Sequence, residues 1–465
     1  MHRQHAHRDL CLTEGRPFGK IFRFAFPLIL TNLLQVCYNA ADMIVVGRFS
    51  DVEGAVGAIG STSALINLLI NLLFGFSIGA NVVVANAIGA RDEERTRRAV
   101  HSSLFVGGIC GLLSLTVGLL FSRPLLMWMD ADPALLDMSV KYTRIYFLGV
   151  PFSAVLNYAI SILRAKGDTK TPLYIMSASG VLNVLLNVFF VAACHMDVEG
   201  VALATAISNA LSCIVLLLVM TGSRDWCQLQ WRRLLHPDRG QLRRVFLIGL
   251  PAGIQGSLFS LSNVFIQRAV NRFGPAVITG TSIASNIEGI AYTTTNSIYQ
   301  ASLTFTGQNM GAGRYDRLRM VFRDCYLATF LVGAVVSSLL FVCREPLIYL
   351  YMNVDAVDGA AIFAAAELRF RIVMVTYVLL AFMEVGSGLT RGMGKSFASM
   401  MISLLGSCVF RIVWIYTVFA IIPQVWMLYL VMPVSWLLTS TAQFIFAHTV
   451  RRRLLRTLPP REALT

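Results

Sequence analysis

Asp42, Glu288, Glu384 and Arg411 each interrupt a long apolar run, where an ionisable side chain is out of place. An ionised group near the centre of a bilayer costs about 2.5–3.5 kcal/mol on insertion scales, so such residues face water or protein and tend to carry function. A carboxylate there can accept and release a proton, or hold a sodium ion, and so change the local charge by one. A buried arginine needs a counter-charge, and either Glu288 or Glu384 could supply it to Arg411. One arginine cannot neutralise two glutamates, so one of each kind is expected: a structural partner for Arg411 and a functional acid. Glu288 is the expected functional acid, lying roughly 20 Å beyond Pro275 by helical rise, a depth that suits a midplane site.

The neighbours of these acids are polar in a helical pattern. Asp42 shares a stripe with Asn32, Gln35 and Asn39, at spacings of three, four and three. Further runs add Asn67 and Asn71, then Asn157, then Asn183 and Asn187 one turn apart. Together they would give the first half of the chain a wet cavity with one carboxylate. The alternative is that these amides simply join helices, as small polar groups do in membrane bundles. Around Glu288 stand Asn286, Thr293, Ser297, Gln300 and Thr304. Tyr292 and Phe382 could line a cavity for flat cations by π contact.

The elements that must position these groups follow from composition. Of the 465 residues, 56% are hydrophobic and 14% charged, with a mean hydropathy of +0.66. That is too few polar groups to cover a soluble surface, which excludes secreted disulfide scaffolds, disordered chains and nucleic-acid-binding domains. Nine cysteines, several inside apolar runs and none spaced as C-x-x-C, imply neither a disulfide framework nor a zinc site. The stretch containing His2, His5 and His7 lacks a short apolar core with a cleavage site; a solvated tail is expected, not a signal peptide or metal site. Runs long enough to cross a bilayer lie near 22–47, 55–88, 99–121, 134–163, 172–194 and 199–221, then near 245–270, 276–311, 320–343, 360–389, 397–421 and 425–450. The predicted fold is an all-α integral membrane protein with twelve transmembrane helices. Two six-helix lobes are expected, over residues 1–230 and 231–465.

Basic residues orient the spans. With both termini cytoplasmic, inner segments hold 29 of the 39 lysines and arginines, which explains most of the +14 net charge. The two halves also repeat. Pro27 matches Pro251 and Arg48-Phe49 matches Arg272-Phe273 at an offset of 224. Gly89-Ala90 matches Gly311-Ala312 at 222, and Leu163-Arg164-Ala165-Lys166-Gly167 echoes Thr390-Arg391-Gly392-Met393-Gly394 at 227. Because six is even, the copies share one orientation and are related by an axis along the membrane normal, a plan common among secondary transporters.

The segment Thr306-Gly307-Gln308-Asn309-Met310-Gly311-Ala312-Gly313 resembles the G-Q-N-x-G-A-G signature of the multidrug and toxic compound extrusion (MATE) family. Leu163 to Pro172 resembles that family's L-R-G-x-G-D-T-K-T-P turn between spans four and five. The resemblance implies a bacterial inner-membrane antiporter that exports organic, often cationic amphiphiles (drugs or toxins) in exchange for H⁺ or Na⁺. No cofactor, enzymatic activity or nucleic-acid partner is expected. One subgroup places an aspartate on span one against an asparagine and an aspartate one turn apart on span five. Asp42 and Asn183 match that pattern, Asn157 is near the family's span-four asparagine, and Asn187 departs from it with an amide in place of the second acid. A sodium ion at Asp42 is the only metal the resemblance suggests. Another subgroup couples through acids on spans seven and ten; span seven here has none, and Glu384 is on the second of those helices. A lipid-linked oligosaccharide flippase of the same superfamily is the nearest rival reading, and a membrane-embedded enzyme is a more distant one. A flippase would want a strongly cationic cavity, whereas an enzyme would need a clustered nucleophile or metal ligands.

Overall fold

The computed structural model describes residues 12–49, 55–128, 135–352 and 358–456, apart from some side chains in the later part of the first long helix and the earlier part of the second. Among the described residues there is no strand. Twelve long helical segments follow one another: α1 (Pro17–Phe49), α2 (Ala55–Gly89), α3 (Glu93–Trp128), α4 (Leu136–Lys166), α5 (Lys170–Ala193), α6 (Val198–Gly222), α7 (Arg239–Phe273), α8 (Pro275–Gly311), α9 (Leu318–Val342), α10 (Gly359–Gly392, bent by 47° between Met374 and Tyr377), α11 (Ser396–Ile421) and α12 (Val425–Arg456). Ten of these are long and apolar enough to cross a membrane, and α10 makes an eleventh if its bent halves form one span. The remaining one, α8, has 37 residues and is the most informative exception, because the polar side chains flanking Glu288 lower its hydropathy.

Close backbone contacts divide the chain into two units. One contains Leu30–Gly256; the other contains Leu12–Ile29 and Ser257–Thr465. Relative to a cut after residue 230, the early parts of α1 and α7 are exchanged, and local packing gives the reason. In the first unit α2 and α7 cross at Gly75, Gly79, Gly249 and Gly253; a Cβ on Gly249 would lie 2.6 Å from Phe76 O, and one on Gly253 2.8 Å from Leu72 O. Small residues four apart on both helices allow this approach, and it ties the early part of α7 to α2. In the second unit Asn309 Nδ2 donates to Leu12 O (3.3 Å), Arg317 Nη2 to Gly15 O (2.7 Å), and Phe18 N to Asp324 Oδ2 (3.1 Å). These bonds hold the start of α1 beside α8 and α9.

The internal repeat is visible in the hydrogen bonds of its turns. After α4, Gly167 N donates to Arg164 O and Asp168 N to Leu163 O; after α10, Gly394 N donates to Arg391 O and Lys395 N to Thr390 O. Both glycines have positive φ, 100° and 76°, as a left-handed helix cap requires. After α2 and α8 the pairs are Arg91 N to Ile88 O with Asp92 N to Ala87 O, and Gly313 N to Met310 O with Arg314 N to Asn309 O. Arg95 Nη2 then reaches Asn86 Oδ1, and Arg317 Nε reaches Asn309 Oδ1. The family-like turns are thus built as helix stops: Asp168 accepts the N–H groups of Lys170 and Thr171 and caps α5.

Candidate functional site

In the first unit α1 and α5 bring Asp42 and the asparagine pair together. Asn187 Nδ2 donates to Asp42 Oδ1 at 2.5 Å and also to Asn183 Oδ1 at 3.2 Å. Asn183 Nδ2 donates onward to Thr205 Oγ1 of α6. Asn187 is fully buried and Asn183 nearly so. Two further features define the chemistry. Among the described residues Asp42 forms no ion pair, and Asn187 Oδ1 is buried with no donor. The site therefore presents a carboxylate and an unpaired amide oxygen. A proton or a small cation would satisfy both.

Local sequence explains why the helices meet here. The Tyr38 ring, one turn before Asp42, lies where a Cβ on Gly180 would be, and its hydroxyl donates to Ser177 O at 3.1 Å. Only glycine leaves room for that ring. Directly after Asn187 the helix widens into a π-helical stretch, Phe189–Ala193, a local irregularity often found at functional positions. Substituting Gly180 by leucine is expected to force α1 from α5, lowering stability by about 1–3 kcal/mol as overpacking does and uncoupling Asp42 from Asn187. Tyr38→Ala in the same chain should restore the thermal stability; if it does not, the tyrosine–glycine contact does not set the spacing.

Asn157 Nδ2 donates to Ser153 O on its own helix. Gln35 is exposed and Asn71 is half-buried. The side chains of Asn39 and Asn67 lie outside the described residues. Two residues not singled out from the sequence lie near the site: Tyr142 and Tyr146 of α4 stack at 6.1 Å and lie within electrostatic reach of Asp42. Tyrosines in apolar runs look like packing, so periodicity gave no signal for them.

In the second unit the expected pairing is corrected. Arg411 forms no ion pair with either glutamate among the described residues. Glu288 is instead gripped by Arg369, Nε to Oε1 at 2.7 Å and Nη2 to Oε2 at 2.8 Å, with both side chains buried. Tyr377 OH donates to Glu288 O, and the Arg369 guanidinium lies 5.5 Å from the centre of the Tyr429 ring, whose hydroxyl bonds to Thr281. Both carboxylate oxygens of Glu288 are engaged, which leaves it poorly placed to bind a passing cation. The physical reason is depth: Arg369, near the end of the first half of bent α10, reaches the level of Glu288 on α8.

Glu384 has the opposite surroundings. It is half-buried, and among the described residues it makes no hydrogen bond or ion pair. Tyr292, Tyr299 and Arg391 lie within electrostatic reach of it, and Arg391 Nη1 donates to Tyr299 OH at 2.6 Å. Tyr292 is 41% exposed beside it, and Gln300 is half-buried. Phe382 packs edge-on against Tyr326 at 5.7 Å, an aromatic contact of the helix core. No group of three or more histidine, cysteine or acidic side chains that could hold a metal ion occurs among the described residues.

Comparison with known proteins covers the same regions. The family model MatE matches residues 27–189 and 251–417, one block in each half. The chain is 28% identical over 336 residues to the probable multidrug resistance protein YoeA of Bacillus subtilis, covering 71% of this chain and 72% of that one. It is 22% identical over 440 residues to the multidrug export protein MepA of Staphylococcus aureus, covering 94% and 95%. Among solved structures, a MOP superfamily transporter from Pyrococcus furiosus described as having a binding pocket of reverse polarity superposes with a TM-score of 0.90, at 20% identity over 97% of this chain and 99% of that one. A multidrug resistance MATE family transporter in an outward-facing conformation gives a TM-score of 0.89, at 21% identity over the same shares. These likenesses support the two-lobe, twelve-helix fold.

Proposed function

The chain belongs to the MatE family, and on that premise we propose that it is a secondary active antiporter exporting organic amphiphiles in exchange for H⁺ or Na⁺. The observation that carries this reading is the Asp42–Asn187–Asn183 constellation, a carboxylate held by an amide N–H with an unpaired amide oxygen beside it. Protonation of Asp42 supplies a hydrogen that Asn187 Oδ1 can accept. A sodium ion supplies a positive centre that both oxygens can ligate. Either event cancels the carboxylate's demand for water, so its surroundings can repack, and the two arrangements become two states biased by the ion. Because position 187 is an amide, this unit couples through one carboxylate. Glu384 takes the place expected of Glu288 as the acid of the second unit, since its oxygens are free of any ion pair among the described residues. Asn157, which donates to Ser153 O on its own helix, is not required by this scheme.

The reading is tested in proteoliposomes with pH and Na⁺ gradients imposed one at a time. Substrate should accumulate against its gradient only when the coupling ion can flow the other way. Accumulation without any ion gradient would overturn antiport.

The chain is further proposed to sit in a bacterial inner membrane with both termini cytoplasmic. Cys227 cannot report this, because it is buried with its N–H bonded to Asp225. Leu235 is 75% exposed and follows the short helix Trp231–Leu234 in the same loop. In a cysteine-free background, Leu235→Cys should react with an impermeant maleimide only after the cells are opened. A variant keeping only Cys194, exposed after α5, should react on intact cells. The reverse pattern would invert the topology.

A further inference from the structure

Arg411 is a buried ionised side chain that the coupling scheme leaves unexplained. It is 3% exposed and follows a π-helical stretch, Leu404–Val409, that interrupts α11. Its Nε donates to Ser435 Oγ at 3.1 Å and its Nη1 to Asn263 Oδ1 at 3.5 Å. Both partners are neutral. Among the described residues its Nη2 has no hydrogen-bond partner, and no carboxylate pairs with it. The charged group within electrostatic reach of it is Arg369, which adds positive charge. Glu288 cannot help, because both its oxygens are bound to Arg369. Glu384 answers to Arg391 instead.

A guanidinium removed from water and left without a counter-charge is strongly disfavoured, so an anion from outside the chain is the missing partner. Asn263 shows where it enters. That residue is exposed on α7, and its Nδ2 also lacks an acceptor among the described residues. Arg411 Nη2 and Asn263 Nδ2 are thus unused donors, among the described residues, on two hydrogen-bonded side chains of which Asn263 is exposed. A planar fork of donors suits the two oxygens of a carboxylate. We propose that Arg411, with Asn263 beside it, binds a carboxylate carried by the exported molecule. The substrates of this chain are then acidic or zwitterionic amphiphiles, not simple cations. The inference rests on the export reading given above and adds the substrate's charge pattern to it.

Rhodamine B and its ethyl ester share one cationic ring system and differ in a single free carboxylate. Fluorescence anisotropy titration of the full chain in phosphatidylcholine nanodiscs compares them. The wild-type protein should bind the acid about tenfold more tightly than the ester, the scale of one charge-assisted contact. Arg411→Gln should bring that ratio to about one while ester binding stays unchanged, and Arg411→Lys should keep part of it, since charge remains without the fork. Should the glutamine variant fail to fold, Asn263→Leu on the exposed face should lower the ratio alone. An equal affinity of wild type for acid and ester, or a wild-type ratio in Arg411→Gln, overturns the site. Repeating the titration in phosphatidylglycerol nanodiscs separates the sources of the anion. A persisting acid preference assigns the site to a substrate carboxylate, whereas its collapse makes a lipid phosphate the occupant and overturns the substrate assignment. Failure of the wild-type protein to bind either dye would count against the export reading itself, so the two failures are distinguishable.

Discussion

Cells expressing Asp42→Asn should retain a dye substrate as fully as cells lacking the transporter, although the variant reaches the membrane at the wild-type level. Asparagine matches aspartate in shape, and its Oδ1 can still accept from Asn187 Nδ2, so the α1–α5 contact survives. What disappears is the only carboxylate of that cluster among the described residues, and with it the ability to take up and release a charge. Because Asp42 has no cationic partner among the described residues, its neutralisation strands no opposite charge, and thermal stability should not fall. Export at the wild-type rate would remove Asp42 from the mechanism. A loss of both export and stability would instead make it a structural residue.

Glu288→Gln should behave in the contrary way. Removing one member of a buried ion pair leaves the other uncompensated and costs about 3–5 kcal/mol. The bidentate contact from Arg369 places Glu288 in that class. Thermal melting of purified protein should show a large drop for Glu288→Gln, most of it recovered in the double variant with Arg369→Met, since apolar replacement of both partners is often neutral. Combining Glu288→Gln with Arg411→Met should give no such recovery. Additive losses in the Glu288–Arg369 cycle would mean that the pair is not coupled.

The contrast between these acids shows what a sequence discloses. Asp42 was legible as a charge on a helical stripe, and Asn183 and Asn187 as a pair one turn apart, because neighbouring turns of one helix carry that information; that the two helices meet there was only what the family resemblance implied. The duplication was legible for the same reason: Gly167 and Gly394, or Asn86 and Asn309, occupy matching turns whose hydrogen bonds are local. The partner of Glu288 was not. Arg369 and Glu288 are 81 positions apart, and their meeting depends on which helices are neighbours and at what depth α10 bends. Arg411 looked the better counter-ion because it is nearer the middle of its span, yet it faces α12 and α7 through Ser435 and Asn263. Tyr142 and Tyr146 were hidden among the many aromatic residues of apolar runs, and the π-helical stretch after Asn187 has no distinctive composition. Phe382, chosen as a cavity aromatic, turns to Tyr326 because its helix face packs on α9.

The claim that Asp42 converts ion flow into substrate movement is tested most directly by comparing driven accumulation with simple exchange in the same proteoliposomes. With an acidic or Na⁺-loaded lumen, wild-type protein should concentrate a fluorescent amphiphile inside as the coupling ion leaves. It should also exchange labelled for unlabelled substrate at equal concentrations when no gradient is present. Asp42→Asn should show no accumulation under either gradient while still exchanging substrate, because the binding cavity is intact and only the ion link is cut. Accumulation by Asp42→Asn equal to that of the wild type, under the gradient that drives the wild type, would contradict the account.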